Sequence, residues 1–228
     1  MLDFLIGCEA KRKRLLKKAP DGALKDFLSV PFPDTKESVE SAPILAVDFE
    51  TTGLDPAKDQ ILSIGFILVE NNEIKLSTAY HKVIRTKGAL SEENVVIHQI
   101  TDDTRTQGDT LQTAVEDLLK ALTGKVMLVH FANIEKNFLN AACKKLYGVQ
   151  PVFPIIDTLM LAKRRLDMGS AAYDPSELRL FNLRDKYKLP RYSAHNALSD
   201  ALATAELFFA EVAKMNDKNS PPLKSVLL

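Results

Sequence analysis

Asp48 and Glu50 stand at the end of the apolar run Ile44-Leu45-Ala46-Val47 and are the first residues in this chain whose spacing suggests chemistry. Side chains alternate across an extended strand, so these two share a face while Phe49 points the other way. Neighbouring carboxylates repel one another unless a positive charge lies between them, and hard oxygen donors suit a divalent cation. Pairs of acids two apart also arise by chance. What distinguishes this one is its place, at the tip of a buried strand and just ahead of Thr51-Thr52-Gly53. A second set is His195-Asn196-Ala197-Leu198-Ser199-Asp200. Inside a single helix the histidine and the aspartate would diverge. They converge if His195 precedes the helix, Asn196 caps it and Asp200 falls in its first turn. A helix dipole alone would also account for an aspartate there. The third set, His130-Phe131-Ala132-Asn133-Ile134-Glu135, runs from a strand into a helix. Glu135 by itself is explained by that helix's dipole, and Phe138 and Leu139 read as core.

These residues need a scaffold, and the apolar pattern supplies one. Residues 44–49 and 61–69 form two buried strands, and Asn71-Asn72 turns the second into a third over 74–84 as an antiparallel hairpin. Ser91 caps a short helix with Glu93 and Asn94 in its first turn. Leu111, Val115, Leu118, Leu119 and Leu122 recur at helical spacing, and Gly124 stops that helix. A strand over 125–130, a helix over 133–147, a strand over 153–156 and a helix over 158–165 follow. The segment 167–175, with Gly169, Ser170 and Pro175, reads as a loop. Helices over 176–188 and 196–214 complete the pattern. A meander followed by alternating strands and helices is an α/β arrangement, a mixed sheet covered by helices on both sides.

Three segments are expected: 1–43, a basic helix over Lys11-Arg12-Lys13-Arg14 and beyond, then an extended arm rich in proline; 44–215, the main domain; and 216–228, a loose tail. With 228 residues, 46% hydrophobic and 26% charged, the chain can bury a sizeable core. Thirty basic and thirty acidic residues cancel, which argues against a protein that coats nucleic acid non-specifically. It does not argue against an enzyme that borrows positive charge from metal ions. The two cysteines, Cys8 and Cys143, are expected to be free thiols in a reducing cytoplasm. The apolar start is too short for a signal peptide and no segment is long enough to cross a membrane, so the expectation is a soluble, cytoplasmic protein.

Taken together and in this order, the three sets resemble the DEDDh family of 3′→5′ exonucleases, which includes the proofreading epsilon subunit of bacterial DNA polymerase III. The resemblance covers residues 44 to 213. Asp48 to Gly53, continuing into Leu54-Asp55-Pro56, matches the Asp-x-Glu-Thr-Thr-Gly motif, and His195, Asp200 and Ala201 match the His-x4-Asp motif. Ile155-Ile156-Asp157-Thr158-Leu159 is similar to the family's strand-to-helix segment, and Glu93 and His98 match one that contacts the terminal nucleotide. Two positions depart from the pattern: Phe131 stands where the family has Asn, and Glu135 where it has the catalytic Asp.

The resemblance implies a ribonuclease H-like sheet of five strands, a three-strand antiparallel meander plus parallel strands, flanked by helices. It implies two divalent cations, Mg²⁺ or Mn²⁺. Asp48, Glu50 and Asp200 hold one, Asp48 bridges to the second, and Glu135 assists through water. His195 is then the general base, and Thr51, Thr52, Leu54, Glu93 and His98 hold the terminal nucleotide. His81 and Asp157 read as structural. The implied substrate is the 3′ end of single-stranded DNA, released as 5′-mononucleotides. An exoribonuclease acting on RNA 3′ ends or short oligoribonucleotides is the alternative within the enzyme class. The alternative outside it is a non-catalytic domain that binds nucleic acid or a polymerase. Extra sequence lying before the domain rather than after it favours a stand-alone exonuclease or accessory repair enzyme over a dedicated replicative proofreader. A polymerase partner and the oligomeric state are left open.

Overall fold

The structure, a computed structural model, describes residues 7–86, 102–169, 172–215 and 220–228. Five strands, β1 (Ile44–Thr51), β2 (Ile61–Glu70), β3 (Glu73–Val83), β4 (Val126–Val129) and β5 (Ile155–Asp157), form one sheet in the order β3-β2-β1-β4-β5. The first three pair antiparallel and β4 and β5 join in parallel, the mixed arrangement the sequence pattern requires. Asn71 and Asn72 make the hairpin turn with φ of 54° and 59°. A two-residue turn of this hand needs positive φ at both positions, and asparagine tolerates it.

Eight α-helices surround the sheet: α1 (Cys8–Leu16), α2 (Ala23–Ser29), α3 (Asp102–Thr106), α4 (Leu111–Leu122), α5 (Asn133–Tyr147), α6 (Thr158–Asp167), α7 (Leu180–Lys186) and α8 (Ala197–Met215), counted among the described residues. Strand alternation divides the core between the two faces. Leu45, Val47 and Phe49 pack with Leu24, Phe27, Leu118 and Phe138 on one side. Ile44 and Ala46 pack with Leu161, Ala201, Ala205 and Phe208 on the other. By the same alternation Asp48 and Glu50 face the side that α8 covers.

Several expectations are corrected. The tail expected to be loose from 216 is tied down over 220–228. Leu223 and Val226 are buried, the Leu223 and Lys224 N–H groups donate to the Glu37 and Thr35 carbonyls, and that of Leu228 donates to the Ile155 carbonyl. The arm's prolines leave room for α2, whose Leu24, Phe27 and Leu28 are fully buried in the main core. Burying such a side chain contributes about 1.5–3 kcal/mol, so α2 is part of the fold's stability. The helix expected over 176–188 is broken. Asp174 and Glu177 close a capping box around a 3₁₀ turn, Pro175–Leu178, and Arg179 is extended before α7 begins. The segment 91–100, with its capped helix, lies outside the described residues, as do Glu93 and His98.

Candidate active site

The site is assembled where β1 ends beneath the start of α8. Asp48 pairs across β2 with Gly65, and a Cβ on Gly65 would lie 2.2 Å from both the Ala197 carbonyl carbon and the Leu198 nitrogen. Only a bare backbone at 65 lets α8 begin directly on the sheet. Asp200, three residues into the helix, then reaches the β1 acids. Oxygens of Asp48, Glu50 and Asp200 lie within 4.8 Å of one another. The β1–β2 register shifts just past Glu50, a bulge of the kind that re-aims side chains beside active sites. Glu135, in the first turn of α5 and 2% exposed, adds a fourth carboxylate close enough to push on Asp48.

The local chemistry at His195 is the one its spacing requires. His195 precedes α8 with φ of 68°, the Asn196 side chain caps the helix by accepting from the Ser199 N–H at 3.1 Å, and Asp200 lies in the first turn. The His195 N–H donates to Asp200 Oδ2 at 3.0 Å, so the backbone that carries the imidazole is tied to a member of the acid cluster. The imidazole itself is exposed and lines a cleft of about 490 Å³ shared with Asp48 and Asp200.

Burial, and then the charges of Glu135, Asp200 and Glu50, push the Asp48 carboxyl well above the usual range. Burial also raises Asp200 to about 7, against the opposing hydrogen bond from the His195 N–H. Glu135 is raised to about 8, again chiefly by burial, with Asp157 and Glu50 adding to it and the N–H groups of Glu135 and Phe49 opposing. Glu135 Oε2 and Asp200 Oδ1 are buried without a hydrogen-bond partner among the described residues. Buried carboxylate oxygens left in that state are costly unless something positive meets them. An all-oxygen donor set with orphaned lone pairs fits a hard divalent cation.

Around the cluster, other polar groups hold the backbone in place. Asp157 accepts from the N–H groups of Phe131 at 3.0 Å, Ala132 at 2.9 Å and Leu159 at 2.9 Å. It therefore both caps α6 and fixes the turn that leads into Glu135, a bracing role. Within that turn Phe131 has φ of 74° and is 43% exposed. This conformation is disfavoured for a side chain of that size but open to asparagine, which accounts for what the Phe substitution costs the backbone. His130 is held at both ring nitrogens, by Thr158 Oγ1 at 2.8 Å and the Leu178 carbonyl at 3.0 Å, and burial lowers its pKa to about 4. A neutral, fully engaged imidazole is a tie between β4 and the 3₁₀ turn.

Of the residues expected to meet the terminal nucleotide, Thr51 and Thr52 spend their hydroxyls on the loop. Thr51 Oγ1 donates to the Gly53 carbonyl at 2.7 Å and Thr52 Oγ1 to Asp59 Oδ1 at 3.0 Å. That loop thrusts Leu54 outward, 76% exposed. His81, expected to be structural, stands across Gly65 on β3, on the same sheet face as Asp48. The sequence reading missed Gly65 and the wall of the cleft formed by Arg179, Phe181 and Asn182. An isolated glycine within an apolar strand is a signal for the first. Nothing local signals the second.

The exonuclease family described as RNase_T matches residues 45–208. A DNA polymerase III PolC-type from Thermotoga petrophila is 33% identical over 178 residues, covering 78% of this chain but 12% of that protein. The DNA polymerase III subunit epsilon of Treponema pallidum is 29% identical and is covered over 88% of its length, against 82% of this chain. The chain thus spans about an eighth of the PolC-type relative and most of the epsilon one. Among solved structures, the nuclease domain of 3'hExo, a DEDDh family member bound to rAMP, superposes with a TM-score of 0.65 at 17% identity, covering 80% of this chain and all of that one. E. coli Exonuclease I in complex with a dT13 oligonucleotide gives 0.60 at 16% identity, covering 77% of this chain and 41% of that one. At those identities the two likenesses speak for the fold, a ribonuclease H-like α/β sheet.

Proposed function

The chain belongs to the RNase_T exonuclease family, and from that premise we propose that it is a metal-dependent 3′→5′ exonuclease of the DEDDh type that shortens single-stranded DNA from its 3′ end. One observation carries the reading: Asp48, Glu50 and Asp200 bring their oxygens within 4.8 Å of one another in a cleft that His195 also lines. A binding module gains nothing from such a cluster, because like charges held together cost stability.

Asp48, Glu50 and Asp200 would hold the divalent metal, with Glu135 beside them. The orphaned Glu135 Oε2 supports a place for its longer side chain in that set. When bound, two divalent cations, Mg²⁺ or Mn²⁺, supply the charge that steadies the attacking and departing oxygens of an in-line displacement. His195, exposed at the cleft and tied through its backbone to Asp200, takes the proton from the attacking water as general base. Bond cleavage leaves the phosphate on the departing nucleotide as a 5′-monophosphate. Leu54 presses on the last base, an apolar contact that any base accepts. Glu93 and His98 hold the same nucleotide in this reading. DNA is placed ahead of RNA because the relatives described above are named as DNA polymerase III proteins.

The test is the purified protein with 5′-labelled single-stranded DNA and a matched RNA, in Mg²⁺, in Mn²⁺ and in EDTA. The expected result is a ladder shortening from the 3′ end, faster on DNA and stopped by EDTA. A faster RNA ladder would reassign the substrate. No shortening of either strand with either metal would overturn the catalytic reading.

A further inference from the structure

A 3′ end presents more than its terminal nucleotide. The strand leading away from the scissile bond must lie against the protein, and four carboxylates repel its phosphates unless a cation stands nearby. The cleft that His195 and Asp200 line is also lined by residues 179–182. Arg179 is exposed, sits on the extended link between the 3₁₀ turn and α7, and donates no side-chain hydrogen bond among the described residues. It is the one arginine or lysine lining this cleft among those residues. His130 cannot substitute for it, since both its ring nitrogens are engaged.

Phe181, two residues on, lines the catalytic cleft and also a second hollow of about 250 Å³, bounded by Pro190, Arg184 and Tyr192. Phe181 is thus shared by the two hollows and puts an aromatic side chain at the wall of the catalytic cleft. Asn182 anchors the wall by donating from Nδ2 to the Ser176 carbonyl at 2.8 Å. A cation followed by an aromatic side chain is the pairing that holds single strands: charge for a phosphate and a π-face for an unpaired base.

We infer that residues 179–182 form a subsite for the single strand on the 5′ side of the scissile bond. Arg179 neutralises the next upstream phosphate and Phe181 stacks on the base of that nucleotide. Its ligand class is an unpaired oligonucleotide, recognised by charge and stacking without regard to sequence. This rests on the exonuclease reading and extends it to a wall of the cleft that the terminal-nucleotide contacts do not use.

The experiment compares two substrates, a single-stranded oligonucleotide and the p-nitrophenyl ester of thymidine 5′-monophosphate, which has no upstream strand. In Arg179→Gln the ratio of kcat/KM for the oligonucleotide to that for the ester falls about tenfold, the effect of one lost phosphate or base contact. Oligonucleotide binding in Ca²⁺ also loses about 0.7 from its slope of log Kd against log salt. Phe181→Leu, which keeps an apolar side chain in place, lowers the ratio by a similar factor, and Phe181→Trp restores it. Ratios and salt slope equal to those of the parent protein would overturn the subsite. If the parent turns over neither substrate, the exonuclease reading fails, and the salt slope of Arg179→Gln still decides whether the strand lies on this wall.

Discussion

Two buried charged regions lie side by side at the head of α8, and they are built on opposite plans. In the acid cluster, Asp48, Glu50, Glu135 and Asp200 crowd together, Glu135 Oε2 and Asp200 Oδ1 have no hydrogen-bond partner among the described residues, and three of the four carboxyls are driven toward their neutral forms. In the other, one guanidinium, Arg184, is 1% exposed and meets acceptors at both terminal nitrogens, while its Nε has no hydrogen-bond partner among the described residues. The guanidinium donates to the Ala203 carbonyl at 2.6 Å, the Pro190 carbonyl at 2.7 Å and Glu206 Oε2 at 2.7 Å, and it stacks over Tyr192, whose hydroxyl donates to Glu206 Oε1 at 2.7 Å. Among the described residues the second region holds its counter-charge in direct contact, whereas in the first Arg184 opposes the rise of Asp200 less than burial and Glu50 drive it. The difference separates support from function. The arginine knot ties the loop before His195 to α8, whereas the cluster is completed by something from solution.

Substitutions should therefore move activity and stability in opposite senses in the two regions. The largest effect is expected for Asp48→Asn: exonuclease activity is lost, while thermal melting in EDTA is unchanged or higher, because one repelling charge is gone. Melting that drops by many degrees would mean that Asp48 is a structural residue. Next, His195→Ala lowers kcat by about 10²–10⁴ without loss of stability, measured on the same labelled strand.

In the knot the order is reversed. Arg184→Met takes the charge partner from the half-buried Glu206 and the donor from the Ala203 and Pro190 carbonyls, and denaturant titration should show a loss on the order of 3 kcal/mol. A protein as stable as the parent would show that the knot is dispensable.

Smaller effects come from protons. Asp200 and Glu135 titrate near 7 and 8 in the fold, against 3.8 and 4.5 for the free side chains. Raised folded values make the contribution complete at acid pH, below the unfolded values, and remove it as pH climbs through about 7 and 8. Metal-free protein should thus melt lower at about pH 9 than at about pH 5. Mg²⁺ should reverse much of that loss, with about 2.7 kcal/mol of stabilisation at a hundred times its Kd. Glu211, buried far along α8 and raised to about 8 mainly by burial, should retain its share of the loss in Mg²⁺. A melting temperature independent of pH in EDTA would contradict the cluster's electrostatics. The smallest change, Tyr192→Phe, removes one hydrogen bond and should cost about 1 kcal/mol.

What the sequence made legible follows from distance along the chain. The hairpin could be read from Asn71-Asn72 and the placement of His195 from Asn196, because caps and turns are decided by neighbours. The split of Asp48 and Phe49 between faces follows from strand alternation. Contacts between distant segments were not legible. The lone glycine at 65 signals a close approach but not that α8 is what approaches, and nothing in 220–228 announces a bond to Ile155. The break at Arg179 is a middle case. Asp174, Pro175 and Glu177 spell a capping box, and reading 176–188 as one helix overlooked a signal that was present. Family resemblance supplied the ligand roles that spacing alone could not.

The most direct measurement is Mn²⁺ binding, followed by the paramagnetic resonance signal of the free ion, in the parent protein, Asp48→Asn and Arg179→Gln. Saturable binding in the parent and in Arg179→Gln, lost in Asp48→Asn while its fold is retained, is the expected result. Equal Mn²⁺ binding by folded Asp48→Asn and parent would contradict the assignment of the acid cluster as the cation site.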